Sequence, residues 1–203
     1  MLARTPKSPQ GHDGDRPQHT GHATLARTSA SGAERERHDA ILDALTQRHY
    51  QRCLQIGCAS GWLTEQLAWR CSRVDVAAGH ASAQARARLT RPGGNIHFFP
   101  SGLADGEWGS NYDLIVLSDV LHHFTIPALV RLAARVAEVV KPRAEFVVAH
   151  GSEGQGQPLS CDRATELFQL LVRAERKTRL LHAAYRLETW LAPDVEVDMA
   201  SAP

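Results

Sequence analysis

The sequence predicts an α/β protein with a doubly wound, mostly parallel sheet covered by helices on both faces. Two observations carry this. Short apolar runs alternate with helical patterns along the chain. Those runs are mainly apolar rather than alternating, as strands buried on both faces are.

The elements follow in order. From Glu34, the residues Ile41, Leu42 and Leu45 fall on one helical face, with Arg48 and His49 at its C-terminal end. Cys53 to Ile56 is a short buried strand closed by Gly57. Trp62 to Cys71 is a helix, with Leu63 and Leu67 one turn apart. Val74-Asp75-Val76 is a second strand. Ala81 to Leu89 is helical and ends at Arg91-Pro92-Gly93-Gly94. Ile96 to Phe99 is a third strand, and Leu114 to Leu117, after Tyr112-Asp113, a fourth. Leu129 to Val140 is a helix stopped by Lys141-Pro142. Phe146 to Val148 is a fifth strand, 151–158 a loop, and Asp162 to Ala174 a helix. A terminal strand pair is expected within Leu180 to Leu191.

Residues 1–32 are rich in Ser, Thr, His, Gly, Pro and Arg, and the first aromatic is Tyr50. Such a segment buries too little surface to offset its ordering entropy and is expected to be a disordered tail. Residues 33–203 form the expected single domain, in keeping with a length of 203 residues. A net charge of +1 points to no nucleic-acid surface. No apolar run is long enough for a membrane span, and the first ten residues hold no signal-peptide core. Cys53, Cys58, Cys71 and Cys161 form no CxxC pair and no metal spacing with the histidines. A reduced, cytoplasmic protein without a metal is expected.

Ligands on such sheets bind beyond the carboxyl ends of the strands. Gly57-Cys58-Ala59-Ser60-Gly61 joins the first strand to a helix. Gly57 can turn sharply, and the helix start that Gly61 opens favours an anion such as a carboxylate. A nicotinamide dinucleotide site would want glycine at 57, 59 and 62, but Ala59 and Trp62 stand there. No Gly-Lys-Ser/Thr follows, which excludes a P-loop. Asp75 lies 18 residues after Gly57, a spacing that suits a carboxylate accepting from a ribose diol. After the fourth strand, Ser118-Asp119-Val120-Leu121-His122-His123-Phe124 brings an acid and two imidazoles to the mouth of the sheet. Such groups can align a nucleophile and take its proton.

These residues resemble a known family. The run Leu54-Gln55-Ile56-Gly57-Cys58-Ala59-Ser60-Gly61-Trp62-Leu63-Thr64-Glu65-Gln66-Leu67-Ala68-Trp69-Arg70-Cys71 is similar to L-E-L-G-C-x-A-G-x-L-T-E-x-L-A-x-R-C of the nodulation protein S family. Those proteins are class I S-adenosylmethionine-dependent N-methyltransferases. Ser118 to Phe124 echoes the family's S-E-V-L-Y-Y-L, and Tyr185-Arg186-Leu187 a Tyr-Arg-Leu. Glu34, Arg37 and His38 echo an N-terminal E-x-x-K-Y.

The resemblance implies about seven strands with the last reversed, and S-adenosyl-L-methionine as cofactor. It implies that Gln55, Gly57, Cys58, Ala59 and Gly61 hold the methionine part and that Asp75 and Val76 meet the ribose. Gly102 and Leu103 would flank the adenine. Ser118 and Asp119, with His122 and His123, would line the methyl-transfer site. The expected partner is a small-molecule methyl acceptor. Three departures stand out. Gln55 replaces an acid, Gly102 replaces the acid of a G-D-L, and His122-His123 replaces an aromatic pair. The sequence therefore predicts a methyltransferase acting on a nitrogen or oxygen of an amino sugar or other natural product. The alternative is a methyltransferase-like binding protein with little or no turnover.

Overall fold

A computed structural model describes residues 32–78, 89, 93–99, 108–151 and 158–194. Its elements are α1 (Gly32–Ala44), β1 (Tyr50–Ile56), α2 (Trp62–Ala68), β2 (Cys71–Ala77), β3 (Ile96–Phe99) and β4 (Tyr112–Ser118). A 3-10 turn (Leu121–His123) follows, then α3 (Ile126–Val139), β5 (Val140–Gly151), α4 (Cys161–Leu171), β6 (Glu175–Leu181) and β7 (Tyr185–Leu191). The strands form one seven-stranded sheet in the order β3-β2-β1-β4-β5-β7-β6. β1 to β5 are parallel, and β7 runs antiparallel to both its neighbours. The fold class is the predicted one, with the last strand reversed.

Alternate residues of each strand feed two cores. In β4, Leu114 and Val116 face one way and pack with Ile41 of α1 and Leu63 and Leu67 of α2. Ile115 and Leu117 face the other way, onto α3 and α4. α3 starts after Thr125 with a proline in its first turn, where the missing N–H is not needed. It buries Leu129, Leu132, Ala133, Val136 and Val139. At this spacing they form one helical face, and each large side chain buried contributes about 1.5–3 kcal/mol. Ser160 caps α4 by accepting from the Arg163 N–H at 3.2 Å.

Several boundaries differ from expectation. α1 ends at Ala44, so Arg48 and His49 lie outside it. The chain turns there because the buried Glu145 carboxylate accepts from the Thr46 N–H and hydroxyl, the latter at 2.6 Å. α2 stops at Ala68, and Cys71 already opens β2. The Asn95 amide closes that turn by donating to the carbonyls of Ala68 and Cys71. β5 begins directly at Val140, taking in Lys141 and Pro142. The register with β4 shifts there and Arg143 has φ of 58°. Proline is tolerated at such a strand start. The helix expected over 81–89 lies outside the described residues except for Leu89, as do residues 1–31 of the expected tail at 1–32 and most of the loop at 151–158, while Gly32 opens α1.

Candidate active site

β1 and β4 are neighbours, and the connections that follow them, to β2 and to β5, leave in opposite directions. A crevice opens at the carboxyl ends of β1 and β4, the place where such sheets hold ligands. Gly57 leaves β1 at φ +85°, with its N–H on the Ala77 carbonyl at 2.9 Å. A Cβ there would meet the Ser118 carbonyl at 3.2 Å and the Val120 Cβ at 3.4 Å. Only glycine fits this approach without strain. Ala59 and Gly61 also have positive φ, which coils the loop tightly. The Cys58 sulfur sits 3.4 Å from the Thr64 hydroxyl.

The cavity here measures about 570 Å³. Gln55, Gly57, Cys58, Ala59 and Leu63 line it from the first loop. Ser118, Asp119, His122 and His123 line it from the end of β4, Gly151 from β5, and Ala184 from the β6–β7 turn. Ala33, Glu34, Arg37 and His38 close it from α1.

Gln55 is buried, and its amide oxygen has no hydrogen-bond partner. A buried acceptor left unpaired costs about 1–3 kcal/mol, which a ligand donor would recover. Asp119 sits at φ +51° with its N–H on the Ala149 carbonyl. Its Oδ1 accepts from the Gly151 N–H at 2.6 Å, and its Oδ2 is ion-paired with Arg37. The His122 and His123 rings lie 4.2 Å apart, tilted by 49°. His122 is buried, and that burial, with the adjacent His123, lowers its pKa to about 4. It is therefore neutral at physiological pH and able to accept a proton. His38 stacks on Trp62 at 5.8 Å while Arg35 covers the Trp62 ring at 5.7 Å. Burial lowers the His38 pKa too, and its Nδ1 has no hydrogen-bond partner.

Among the predicted residues, Gln55, Gly57, Cys58, Ala59, Ser118, Asp119, His122 and His123 meet at this cavity. Three others do not line it. Asp75 does not end its strand: β2 runs on through Ala77, and the Asp75 carboxylate is fully buried among Arg52, Arg73 and Tyr112. Val76 points into the core with Val74. Gly61 turns its N–H back onto the Cys58 carbonyl at 2.8 Å and does not line the cavity. Gly102 and Leu103 lie outside the described residues. The residues of α1 were visible only through the echo at Glu34, Arg37 and His38. Gly151 and Ala184 carried no sequence signal, because they reach the cavity through the topology of β5 and β7.

Comparison with known proteins fits this geometry. Residues 24–153 match the family described as Nodulation protein S (NodS). Nodulation protein S of Sinorhizobium fredii is 32% identical over 110 residues, 53% of this chain and 50% of that protein. Nodulation protein S of Rhizobium tropici is 28% identical over 152 residues, 70% of this chain and 63% of that protein. The chain thus spans between half and two thirds of the length of these relatives.

The crystal structure of the N-methyltransferase NodS from Bradyrhizobium japonicum WM9, in complex with S-adenosylhomocysteine, superposes with a TM-score of 0.70 at 21% identity. It covers 80% of this chain and 89% of its own. A Burkholderia thailandensis 1,6-didemethyltoxoflavin-N1-methyltransferase, also with S-adenosylhomocysteine, superposes at 0.63 with 15% identity, over 80% of this chain and 79% of its own.

Proposed function

The chain belongs to the nodulation protein S family, and from that premise we propose that it is a methyltransferase using S-adenosyl-L-methionine on a nitrogen or oxygen of a small molecule. The observation that carries this reading is the unpartnered Gln55 amide oxygen beside the Gly57 turn, in one cavity with His122 and His123. When bound, the cofactor supplies an electrophilic methyl group on a sulfonium sulfur.

The residues divide the work along the cavity. The Gln55 oxygen accepts from the ammonium group of the methionine part. Gly57, Cys58 and Ala59 shape the loop beneath it, since a side chain at 57 would fill the approach. Ser118 and Asp119 border the methyl-transfer end, where His122 and His123 face the acceptor. Gly102 and Leu103 follow β3 in the sequence and belong on the adenine side. An amine that arrives deprotonated needs little beyond alignment, whereas a hydroxyl needs a proton acceptor such as the neutral His122. The acceptor is an amino sugar or another natural product, and the protein acts in the cytoplasm without nucleic acid or membrane.

The test is transfer of labelled methyl from S-adenosylmethionine to a panel of amino sugars, amines and phenols. The reading expects label in at least one acceptor. Cofactor binding without transfer to any of them indicates the binding protein instead. Failure to bind S-adenosylmethionine at all overturns both.

A further inference from the structure

Asp119 and His122 both border the methyl-transfer end, but their surroundings leave them unequal. Both oxygens of the Asp119 carboxylate are already engaged by protein groups. Oδ1 takes the Gly151 N–H at 2.6 Å and Oδ2 takes the Arg37 guanidinium. Arg37 is itself buried on α1, so this pair is shielded from solvent on its cationic side. Placement is tight: a Cβ on Gly151 would come within 2.9 Å of an Arg37 terminal nitrogen. His122 is held otherwise. It is buried, stacks obliquely on His123 and borders the same cavity.

We propose that Arg37 is a positioning residue for methyl transfer: by occupying the Asp119 carboxylate it withholds that group from the acceptor's proton and leaves the proton to His122. This rests on the methyltransferase reading above. The acceptor's lone pair forms the new bond to the methyl carbon, the carbon–sulfur bond breaks, and its electrons neutralise the sulfonium. The proton displaced from the acceptor goes to a His122 ring nitrogen, and from the imidazolium to solvent. Arg37 has a second, smaller effect: after burial and His123, its positive charge also disfavours the imidazolium form of His122.

Among the described residues, the titratable groups that act on His122 come from four elements. His123 lies on its own turn, Asp119 at the end of β4, His150 on β5 and Arg37 on α1. α4 presents only Cys161 and Thr165 to the small space beneath it. Of the charged groups, Arg37 and Asp119 are the coupled pair. Removing the guanidinium both deletes a repulsive charge and releases a full negative one. Removing both partners cancels most of the change.

The experiment is a histidine-selective ¹⁵N titration of the full chain, saturated with S-adenosylhomocysteine, in wild type, Arg37→Gln, Arg37→Lys and Arg37→Gln/Asp119→Asn. In wild type, His122 should titrate near 4. Arg37→Gln should raise that midpoint by about half a unit or more. Arg37→Lys should stay near wild type, and the double variant should return toward it. A midpoint unmoved in Arg37→Gln overturns the proposal, as does a rise that the Asp119→Asn change fails to reverse. S-adenosylhomocysteine binding to wild type, measured in the same samples, reports separately on the methyltransferase reading. If α1 detaches in Arg37→Gln, the Lys variant still decides. It keeps the charge but not the forked geometry, so a midpoint that rises there contradicts an effect carried by charge.

Discussion

Asp75 receives four hydrogen bonds from protein groups. Arg52 donates Nε at 2.9 Å and Nη2 at 2.8 Å, Arg73 donates Nε at 2.7 Å, and the Tyr112 hydroxyl donates at 2.8 Å. Burial and the hydrogen bond to Asp75 together push the Tyr112 phenol above its ordinary pKa. Arg52 also lies over the Tyr112 ring at 4.9 Å. The cluster ties β1, β2 and β4 together within the sheet. Asp75→Ala should therefore destabilise the fold by about 2 kcal/mol, less than for a sealed ion pair because both guanidiniums reach solvent. Urea unfolding measures this loss, and cofactor affinity of the folded fraction should be unchanged. The sequence offered a different role because the spacing from Gly57 is right for a ribose contact. It could not show that β2 continues to Ala77, nor that Arg52 and Tyr112 stand on the neighbouring strands. At Gln55 the reverse holds. Its position was legible from the loop that follows, and its unpartnered oxygen needed the structure.

The β6–β7 hairpin owes its order to one buried acid. Glu188 accepts from Arg176 Nε at 2.8 Å, Arg186 Nε at 2.8 Å and Trp190 Nε1 at 2.9 Å, and Arg179 lies at 3.1 Å. Burial alone would raise its pKa, but the hydrogen bonds from Arg186 and Trp190 and the nearby guanidiniums outweigh that and hold it below the usual carboxylate value. A lowered folded-state pKa means stability that is present above the unfolded value and is lost as pH falls through the folded one. Glu188→Gln should cost about 2 kcal/mol at neutral pH, since the buried Arg186 then keeps only the exposed Asp162 as a carboxylate partner. The gap to wild type should narrow as the solution is acidified below about pH 4. Chemical denaturation at the two pH values measures both effects. This hairpin was only half legible. β7 reads as apolar at Leu187 and Trp190, while β6, Glu-Arg-Lys-Thr-Arg-Leu-Leu, shows no buried face because it is an exposed edge serving Glu188. β4 was plain for the opposite reason: buried on both faces, it reads Leu-Ile-Val-Leu without a polar break. Helix ends were placed less well, because Glu145 and Asn95, distant in sequence, decide where α1 and α2 stop.

At the scale of the molecule, one sheet with one reversal point gathers residues from positions 33 to 184 around a single cavity. The alternation of elements made that sheet legible, and the loop at 57–61 made its ligand end legible. The cover supplied by α1 was not, since a helix with Arg37 and His38 buried looks like a solvated one until the cavity beneath it is seen. The cradle around Gly57 is the proposed seat of an adenosyl amino acid. Isothermal titration of S-adenosylhomocysteine into wild type and Gly57→Val measures this directly. Wild type should bind with a Kd of roughly 1–100 µM and the folded variant at least about tenfold more weakly, since its side chain would press on Ser118 and Val120. No binding to wild type at millimolar ligand, or equal affinity in the two proteins, would contradict it.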